Sequence, residues 1–546
     1  MERIKQMHGK EGIGMNRRTF LRMTAAGMGA LSLSSLGITF ACSKANKTLR
    51  PNIVLIMADD MGYSDIGCYG GEVNTPNINR LAAEGLRFSQ FYNAARCCPT
   101  RASLLTGLYP HQAGMGGMVT DKPGKRPEGP YQGYLNDKCV TIAEVLREAG
   151  YRTLMSGKWH VGEFRPVWPV DRGFEKYFGL ISGAANYFDI TKGKRPGIKR
   201  QMAMDDKPWM PPKEGFYMTD AITENALKFL DSHGSGNEPF FLYVAYTAPH
   251  WPLHALPEDI AKYKGKYMKG WDKLREERYQ RQLEMGLIDK RWKLSPRDPE
   301  VTPWDEVKNK EEMEIKMAVY AAQIDRMDQG IGKILNKLKE LGKDENTLVM
   351  FLSDNGACHE GGPWGFDNRK NGLPPGGVDS YMSYGRSWAN ASNTPFKLFK
   401  HWVHEGGIST PLIVRWPKVI KEGGKITHQV GHIVDIMATC CEVAGTEYPR
   451  IYKGRQITPL VGKSLLPIFQ GKTREGHEVL YWEHMKNKAI RKGKWKLVST
   501  SNGQWELYNV EIDRTETNNL AEQYPEVVDE LKALFQDWAE KIGVEI

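Results

Sequence analysis

The sequence has few cysteines and, apart from one stretch near its beginning, no long apolar run. Eight Cys in 546 residues are too few for a disulfide-stabilised scaffold. The mean hydropathy is −0.51, and only the N-terminal stretch approaches the length of a membrane span, which excludes a protein with several transmembrane helices. The sequence also has no Lys/Arg-rich run interleaved with aromatic residues, so it gives no indication of nucleic-acid binding.

The net charge of +10 is unevenly distributed along the chain. Residues 1–41 carry six basic and two acidic side chains, a net +4, which leaves +6 on the remainder. Such a small excess is compatible with anionic substrates, but it is not the concentrated basic face that a nucleic acid requires. Hydrophobic residues make up 40% of the chain and charged residues 26%. This balance supports a buried core and excludes a disordered or collagen-like chain.

Residues 1–41 are predicted to be a targeting segment. Arg17-Arg18 precedes Met23–Ala41, an uncharged stretch rich in Ala, Gly, Leu and Ser, and together they resemble a twin-arginine export signal. An uncleaved anchor helix is the alternative interpretation. Ala41-Cys42 also resembles a lipoprotein cleavage site, which makes Cys42 a candidate for lipidation. We therefore expect a bacterial protein that uses the twin-arginine export machinery and is either periplasmic or anchored to the membrane by a lipid.

From residue 50 onward, apolar runs alternate with amphipathic helical segments, the pattern of a parallel sheet covered by helices. Four of the runs stop at polar residues that can carry chemistry: Ile53–Met57 before Asp59-Asp60, Tyr151–Met155 before Lys158 and His160, Phe240–Ala245 before His250, and Leu348–Leu352 before Asp354-Asn355. Ligands of open α/β sheets bind beyond the carboxyl ends of the strands. We therefore predict an α/β fold with its functional site at that edge.

Two structural parts are expected, a larger α/β domain over residues 50–470 and a smaller α+β subdomain over residues 471–546. The other predicted elements are helices Val140–Glu148, Ile315–Leu341 and His432–Ala444, a charged insertion without strand signals at 255–315, strands Ala489–Ser499 and Trp505–Asn509, and a final helix Pro525–Ile542. Cys440 and Cys441 lie in one of the apolar helical stretches, so we predict core thiols there and not a metal site.

Cys97 is predicted to lie at the N-terminus of a helix. The segment Cys97–Arg101 opens a helical stretch that continues through Ala102–Thr106 and is closed by Gly107, and Pro99 near its start fits helix punctuation. The positive end of the helix dipole would favour a thiolate at this position. A nucleophilic thiolate, one half of a disulfide and a buried structural thiol are all consistent with this feature alone.

A set of motifs, in order along the chain, resembles the type I sulfatases, most closely bacterial arylsulfatases. Cys97–Arg101 with the following Ala-Ser-Leu-Leu-Thr-Gly is similar to the first family signature, and Gly150–His160 is similar to the second. The other matching positions are Asp59-Asp60, His250, Asp354-Asn355, Trp388–Phe396, Lys400 and His404-Glu405-Gly406-Gly407. Arg96 departs from the pattern, because the family usually has an apolar or small residue there.

The resemblance implies an alkaline-phosphatase-like fold and a sulfuric ester hydrolase, with residues 50–470 as its catalytic domain. A maturation enzyme would oxidise Cys97 to Cα-formylglycine, the nucleophile in its hydrated form. One Ca²⁺ would be held by the modified Cys97 together with Asp59, Asp60, Asp354 and Asn355. Carboxylate and amide oxygens suit Ca²⁺ better than Zn²⁺, which prefers His and Cys.

The same resemblance assigns roles to five further residues. Lys158 and Lys400 would hold the sulfate oxygens, and Arg101 would orient and stabilise the nucleophile. His250 would protonate the leaving oxygen, since a histidine titrates near working pH. His160 would assist the second hydroxyl of the hydrate, in the step that expels sulfate.

Aryl sulfates are the expected test substrates, and export together with the mild basic excess favours a sulfated polysaccharide or glycosaminoglycan as the natural substrate. Two alternatives remain open: a phosphonate monoester or phosphodiester hydrolase of the same superfamily, and a non-catalytic protein that binds sulfated glycans. Cys98 is expected to be a bystander beside the modified residue. His254 is a further candidate for the substrate side of the site.

Overall fold

The computed structural model describes residues 50–193, 200–368 and 372–545. The predicted targeting segment and Cys42 lie outside the described residues, so their role stays a prediction. The described residues form one compact unit. Across the described ranges, no helix is both long enough and apolar enough to cross a bilayer.

A large mixed sheet forms the centre of the fold. Its strands are β1 (Asn52–Ala58), β2 (Leu86–Tyr92), β3 (Arg152–Gly157), β4 (Lys176–Leu180), β5 (Met202–Met204), β6 (Lys207–Trp209), β7 (Phe240–Ala245), β8 (Thr347–Ser353), β9 (Ser409–Arg415), β10 (Lys425–Thr427) and β11 (Gly431–His432). The order across the sheet is β10-β2-β9-β8-β1-β7-β3-β4-β5-β6, and β11 also pairs with β2. The strands from β8 to β4 are parallel to one another, which confirms the predicted mostly parallel sheet.

Most of the α-helices cover the two faces of this sheet, whereas the last one packs against the C-terminal part of the chain. In chain order they are α1 (Pro76–Ala83), α2 (Cys97–Thr106), α3 (Ile142–Glu148), α4 (Met218–Phe229), α5 (Pro257–Ala261), α6 (Gly270–Glu284), α7 (Lys310–Glu340), α8 (Gly385–Ser392), α9 (Glu405–Ile408), α10 (Asp435–Ala444), α11 (Leu466–Phe469) and α12 (Pro525–Ile542). Along β1, Val54 and Ile56 pack with α1, α4 and α7, whereas Ile53 and Leu55 pack with α2, α3 and α10. Side chains alternate across a strand, so a strand buried on both faces is apolar throughout.

The predicted helix starts differ from the observed ones for identifiable reasons. α3 begins at Ile142 because Thr141 caps it: the backbone N–H of Glu144 donates to Thr141 Oγ1 over 3.1 Å, and the Glu144 carboxylate accepts from the N–H of Thr141 over 2.8 Å. Such a reciprocal pair satisfies two otherwise free N–H groups. α10 begins at Asp435, because His432 instead belongs to β11.

The charged insertion at 255–315 folds into helices. It contains α5, α6 and the first turn of α7, which starts at Lys310 and not at Ile315 as predicted. Trp271 anchors the segment, with its ring centroid 4.8 Å from that of Trp304 and 5.3 Å from that of Trp388. The buried apolar residues of this insertion, many of them aromatic, are separated by charged ones, which is why the segment looks charged in sequence.

The C-terminal part contains a separate antiparallel sheet of β14 (Val479–His484), β15 (Asn487–Lys492), β16 (Trp495–Ser499) and β17 (Glu506–Asn509), besides a small pair β12 (Ile451–Tyr452) and β13 (Arg455–Gln456). The expected single strand Ala489–Ser499 is wrong, because Gly493, at φ 56°, lies between β15 and β16. Strand β14 was not predicted. The final helix has its predicted bounds, and whether residues 471–546 form a subdomain in their own right stays a prediction.

A buried charge network joins this small sheet to the large one. Glu405 of α9 accepts hydrogen bonds from Lys496 of β16 over 2.9 Å and from Arg514 over 2.7 Å. Tyr92 of β2 donates to the same carboxylate over 3.0 Å. Burial alone would raise the pKa of Glu405, but Lys496 and Arg514 lower it to about 2. The two sheets are therefore tied together by ion pairs that water does not screen.

Glu405→Gln is expected to destabilise the protein by about 3–5 kcal/mol, because removing one partner leaves buried cations uncompensated. The native pKa is depressed, so the stabilisation is present above the ordinary carboxyl pKa and is lost as the pH falls towards about 2. Urea unfolding between neutral and acidic pH measures both effects. Glu530→Gln, which removes an exposed partner of Lys492, serves as the control and should cost less than about 1 kcal/mol. Equal losses for the two variants would contradict the prediction.

Candidate active site

The parallel strands bring the predicted site residues to one edge of the sheet. Met57 of β1 is level with Ala245 of β7, and Ala58 of β1 is level with Ser353 of β8. On the other side of β7, Gly157 of β3 is also level with Ala245. The segments that follow these strands therefore leave the sheet side by side, and they carry the carboxylates, the lysine and the histidines that the sequence singled out.

Asp60 is the most heavily contacted carboxylate of the site. Its backbone is in the left-handed region, at φ 67°. One carboxylate oxygen accepts a hydrogen bond from Asn355 Nδ2 over 2.7 Å, and the other accepts from Lys400 Nζ over 2.8 Å. Its backbone N–H donates to Asp354 Oδ1 over 3.1 Å. Asp60 thus joins its own segment to two others that are far away in sequence, Asp354-Asn355 and the segment of Lys400.

Lys158 and Arg101 provide positive charge on the opposite side. Lys158 Nζ lies 2.5 Å from Asp59 Oδ2, and Arg101 Nη2 lies 2.8 Å from Asp354 Oδ2. Arg101 also donates to the backbone oxygen of Lys158 over 3.1 Å. Burial alone would raise the pKa of Asp59, but the charge of Lys158, followed by those of His250 and Arg101, holds it below the usual range.

Gly157 is required where β3 turns into the segment that carries Lys158. Its φ is 124°, and a Cβ at this position would lie 1.9 Å from the backbone oxygen of Ala245. The close approach allows the N–H of Lys158 to donate to that same oxygen over 2.8 Å. Only glycine combines this backbone conformation with the close contact between neighbouring strands.

Two buried oxygen atoms identify a candidate cation site. Asp59 Oδ1 and Asn355 Oδ1 have no hydrogen-bond partner among the described residues, although buried polar atoms are normally paired. Ligand atoms of Asp59, Asp60 and His250 all lie within 4.8 Å of one another. Carboxylate and amide oxygens are the ligands of hard divalent cations, so the residues present fit such an ion.

Cys97 is the first residue of α2 and is 2% exposed. The helix follows an extended Arg96 and is closed by Gly107 in the left-handed conformation, at φ 71°, as the sequence predicted. A hydrogen bond from Cys98, together with the nearby charge of Lys158, holds the pKa of the Cys97 thiol well below its ordinary value. The described cysteines are all free, so Cys97 is not half of a disulfide within the described chain.

Cys98 is more closely engaged than the expected bystander. Its Sγ lies 3.5 Å and 3.4 Å from the two ring nitrogens of His160. The backbone of His160 is left-handed, at φ 60°, and burial lowers the pKa of its imidazole to about 4. The imidazole beside Cys97 is therefore neutral at neutral pH and able to accept a proton.

His250 and Lys400 complete the other side of the site. His250 Nδ1 lies 2.5 Å from the backbone oxygen of Trp251, which leaves Nε2 directed inward. This Nε2 lies 3.3 Å from Asp60 Oδ2 and 3.3 Å from Lys400 Nζ. The Lys400 side chain is 1% exposed, and the backbone of this residue is held by a hydrogen bond from its N–H to the Ala357 carbonyl over 3.1 Å.

These side chains open into a cavity of about 680 Å³ that is lined by Cys97, His160, His250 and Lys400. A cavity of this size accommodates a small organic anion or one end of a larger molecule. His254 does not reach the cavity. It is fully buried, with Nε2 2.6 Å from the backbone oxygen of Ser380, so its expected substrate-side position is wrong.

Three further residues of the cavity wall received no role from the sequence. Glu360 accepts hydrogen bonds from Arg96 over 3.1 Å and from Trp251 Nε1 over 2.7 Å. In the sequence, Arg96 stands out only as a departure from the family pattern. Trp251 follows His250 directly, and this position is the sequence feature that could have indicated a role for it. Glu360 comes after the end of β8 in a long loop, where no periodicity marks it.

A model of the Sulfatase family matches residues 51–446 of this chain, most of its length. The chain belongs to the sulfatase family. A second family model, described as N-sulphoglucosamine sulphohydrolase, C-terminal, matches residues 396–541. The predicted type I sulfatase family and its alkaline-phosphatase-like fold are confirmed, and the protein is a sulfuric ester hydrolase.

Individual relatives agree with this assignment. An uncharacterized sulfatase of Schizosaccharomyces pombe is 36% identical, over 92% of this chain and 96% of that protein. An arylsulfatase of Klebsiella aerogenes is 35% identical, over 78% of this chain and 93% of that protein. Among solved structures, Ps i-CgsB in complex with k-i-k-neocarrahexaose has a TM-score of 0.67 and 28% identity, with 90% of this chain and 93% of that chain covered.

Arg101→Lys is expected to lower kcat for an aryl sulfate by at least about 100-fold, because a lysine cannot make the forked contacts to Asp354 and the Lys158 carbonyl. Steady-state kinetics on a nitrophenyl sulfate measures the loss. Arg291→Lys, at an exposed ion pair with Asp289, is the control and should leave kcat unchanged. If the Arg101 variant retained activity within a few-fold of the parent enzyme, the positioning role of Arg101 would be wrong.

Proposed function

We propose that this sulfatase hydrolyses sulfate esters with a formylglycine made from Cys97 and with one bound Ca²⁺. The observation that carries the proposal is the position of Cys97, at the start of a buried helix and on the wall of the cavity that Lys400 and His250 also line. The oxygen atoms of Asp59 and Asn355 that lack partners support a hard cation beside it.

The formylglycine hydrate would supply the attacking hydroxyl, and Ca²⁺ would supply positive charge at that hydroxyl and at a sulfate oxygen. Asp59, Asp60, Asp354, Asn355 and the modified Cys97 would hold the ion. Nε2 of His250 lies 3.3 Å from the Asp60 carboxylate. His250 is therefore directed towards the proposed ion site, although it is not one of the residues proposed to hold the ion.

The remaining residues stabilise the negative charge of the sulfate, position the nucleophile or transfer protons. Lys158 and Lys400 donate to the sulfate oxygens, where charge increases in the transition state. Arg101 holds Asp354 and the Lys158 backbone in place and so fixes the orientation of the nucleophile. His250 donates from Nδ1 to the Trp251 carbonyl, so its Nε2 carries a proton for the leaving oxygen when the ring is doubly protonated. His160, neutral beside Cys97, accepts the proton of the second hydroxyl.

Sulfated glycans are the proposed natural substrates. Relatives of 28–29% identity include N-acetylgalactosamine-6-sulfatases of several mammals, and a related solved structure contains a neocarrahexaose. The basic side chains Lys125 and Arg200 at the cavity suit an anionic chain. These observations favour a glycan over a simple aryl sulfate.

We also propose export by the twin-arginine route, with lipidation of Cys42 as a variant of the same proposal. Arg17-Arg18 and the uncharged stretch Met23–Ala41 support it. The maturation enzyme that converts Cys97 would then act before export, because this route carries folded proteins. Residues 471–546 are proposed to be a C-terminal subdomain that stays attached to the catalytic domain.

Mass spectrometry of the peptide containing Cys97 tests the nucleophile. In protein produced with a formylglycine-generating enzyme, we expect the mass of the aldehyde at position 97 and of an ordinary thiol at Cys98. Cys97→Ala should abolish sulfate ester hydrolysis, whereas the matched variant Cys98→Ala should retain the aldehyde and measurable turnover. An unmodified thiol at position 97 in an active enzyme would overturn the proposal.

Calcium is tested by chelation followed by thermal unfolding. Ca²⁺ at about 100 times its Kd should stabilise the chelated protein by about 2.7 kcal/mol, because an ion that binds only the folded state shifts unfolding by mass action. Asp60→Asn should abolish that shift and the activity, whereas Asp231→Asn at an exposed ion pair should change neither. If Mg²⁺ or Zn²⁺ gave the shift and restored activity while Ca²⁺ gave neither, the assignment of the ion would be wrong.

A further inference from the structure

A second cavity adjoins the first. It measures about 350 Å³ and shares with the catalytic cavity the residues Ala184, Arg200, Trp251 and Glu360. The two cavities therefore form one continuous cleft, with His250 and Cys97 at its inner end. The chemistry described above uses only that inner end, which leaves the outer part without an assigned ligand.

One wall of the outer cavity is aromatic. The ring centroid of Trp251 lies 5.3 Å from that of Phe366 and 6.0 Å from that of Tyr381. Phe366 and Tyr381 are stacked, with centroids 5.7 Å apart and ring planes 26° apart. All three side chains are partly exposed. Small residues such as Ala185 and Gly193 also line the cavity, which leaves room beside the rings for a flat ligand.

The aromatic wall is attached rigidly to the catalytic end. Trp251 follows His250, and the two ring centroids are 4.9 Å apart. Its indole N–H donates to Glu360 over 2.7 Å, and Glu360 is held in turn by Arg96 over 3.1 Å. Because His250 is proposed to protonate the leaving oxygen, the group that carries this oxygen would lie next to Trp251.

Basic side chains lie on the same cleft. Lys192 is an exposed residue of the outer cavity and pairs with Asp379 over 2.6 Å. Arg200 lines both cavities, and its guanidinium makes no hydrogen bond or ion pair to the residues that the structure describes. An arginine of this kind can form a forked pair with a sulfate or carboxylate group.

We propose that the outer cavity is a subsite for the sugar next to the one that loses its sulfate, with the apolar face of that sugar packed against the aromatic wall of Trp251, Phe366 and Tyr381 and an anionic substituent paired with Arg200. The inference rests on the proposed action on sulfated glycans and adds to it. The enzyme then prefers an oligosaccharide of at least two sugars, because a single sugar or an aryl group reaches only the inner cavity.

The subsite is tested by comparing substrates of different length. For the parent enzyme, kcat/KM is measured on a nitrophenyl sulfate and on two series, sulfated carrageenan and sulfated glycosaminoglycan oligosaccharides, from the monosaccharide to the hexasaccharide. We expect kcat/KM to rise from the monosaccharide to the disaccharide. Phe366→Ala and Tyr381→Ala should each lower the ratio of oligosaccharide to aryl sulfate kcat/KM by about tenfold, mainly through KM, as truncating an aromatic binding residue does.

Tyr524→Ala, at an exposed aromatic residue of the C-terminal part, is the matched control and should leave this ratio unchanged. Arg200→Gln should remove the preference for oligosaccharides whose neighbouring sugar is charged. An unchanged ratio in both aromatic variants would overturn the subsite while leaving sulfatase activity on glycans intact. If the parent hydrolysed aryl sulfate but no oligosaccharide, the glycan proposal itself would be wrong, and the subsite with it.

Discussion

Opposed charges buried at the carboxyl edge of the central sheet are the constraint on which the rest of this structure depends. Strands β1 and β8 lead into the carboxylates, and the cations come from α2, from the end of β3 and from the segment around Lys400. Each side chain is nearly inaccessible to water, so any one of them without its partners would destabilise the fold by several kcal/mol. The fold therefore holds these charges in fixed positions before a substrate arrives, which is the preorganisation that electrostatic catalysis needs.

Much of this arrangement could be predicted from local patterns. Continuous apolar runs such as Phe240–Ala245 identify strands buried on both faces, and parallel strands must deliver their following residues to the same edge. The start of α2 at Cys97 and its end at Gly107 follow from helix punctuation that depends only on nearby residues. The ordered family motifs then added roles that spacing alone could not supply.

What the sequence did not reveal depends on tertiary contacts. Glu360 is remote in sequence from Arg96 and Trp251, and nothing periodic marks it, because its position is set by the two side chains that it accepts from. Strand β14 was missed because its apolar run, Val479–Trp482, is only four residues long, and a run this short does not identify a strand by itself. His254 looked functional from its spacing to His250, but burial and a backbone acceptor give it a structural position.

The network around Glu405 has a consequence for the order of events during synthesis. Glu405 lies five residues after Lys400, and its buried cationic partners Lys496 and Arg514 come near the end of the chain. This side of the site therefore gains those ion pairs only after nearly the whole chain has been synthesised. Cys97, which is 2% exposed in the folded protein, is made roughly 400 residues earlier, a delay of about 20–80 s at ordinary rates of translation. A modifying enzyme that needs access to this residue has that interval in which to act, and slower closure of the C-terminal sheet would lengthen it.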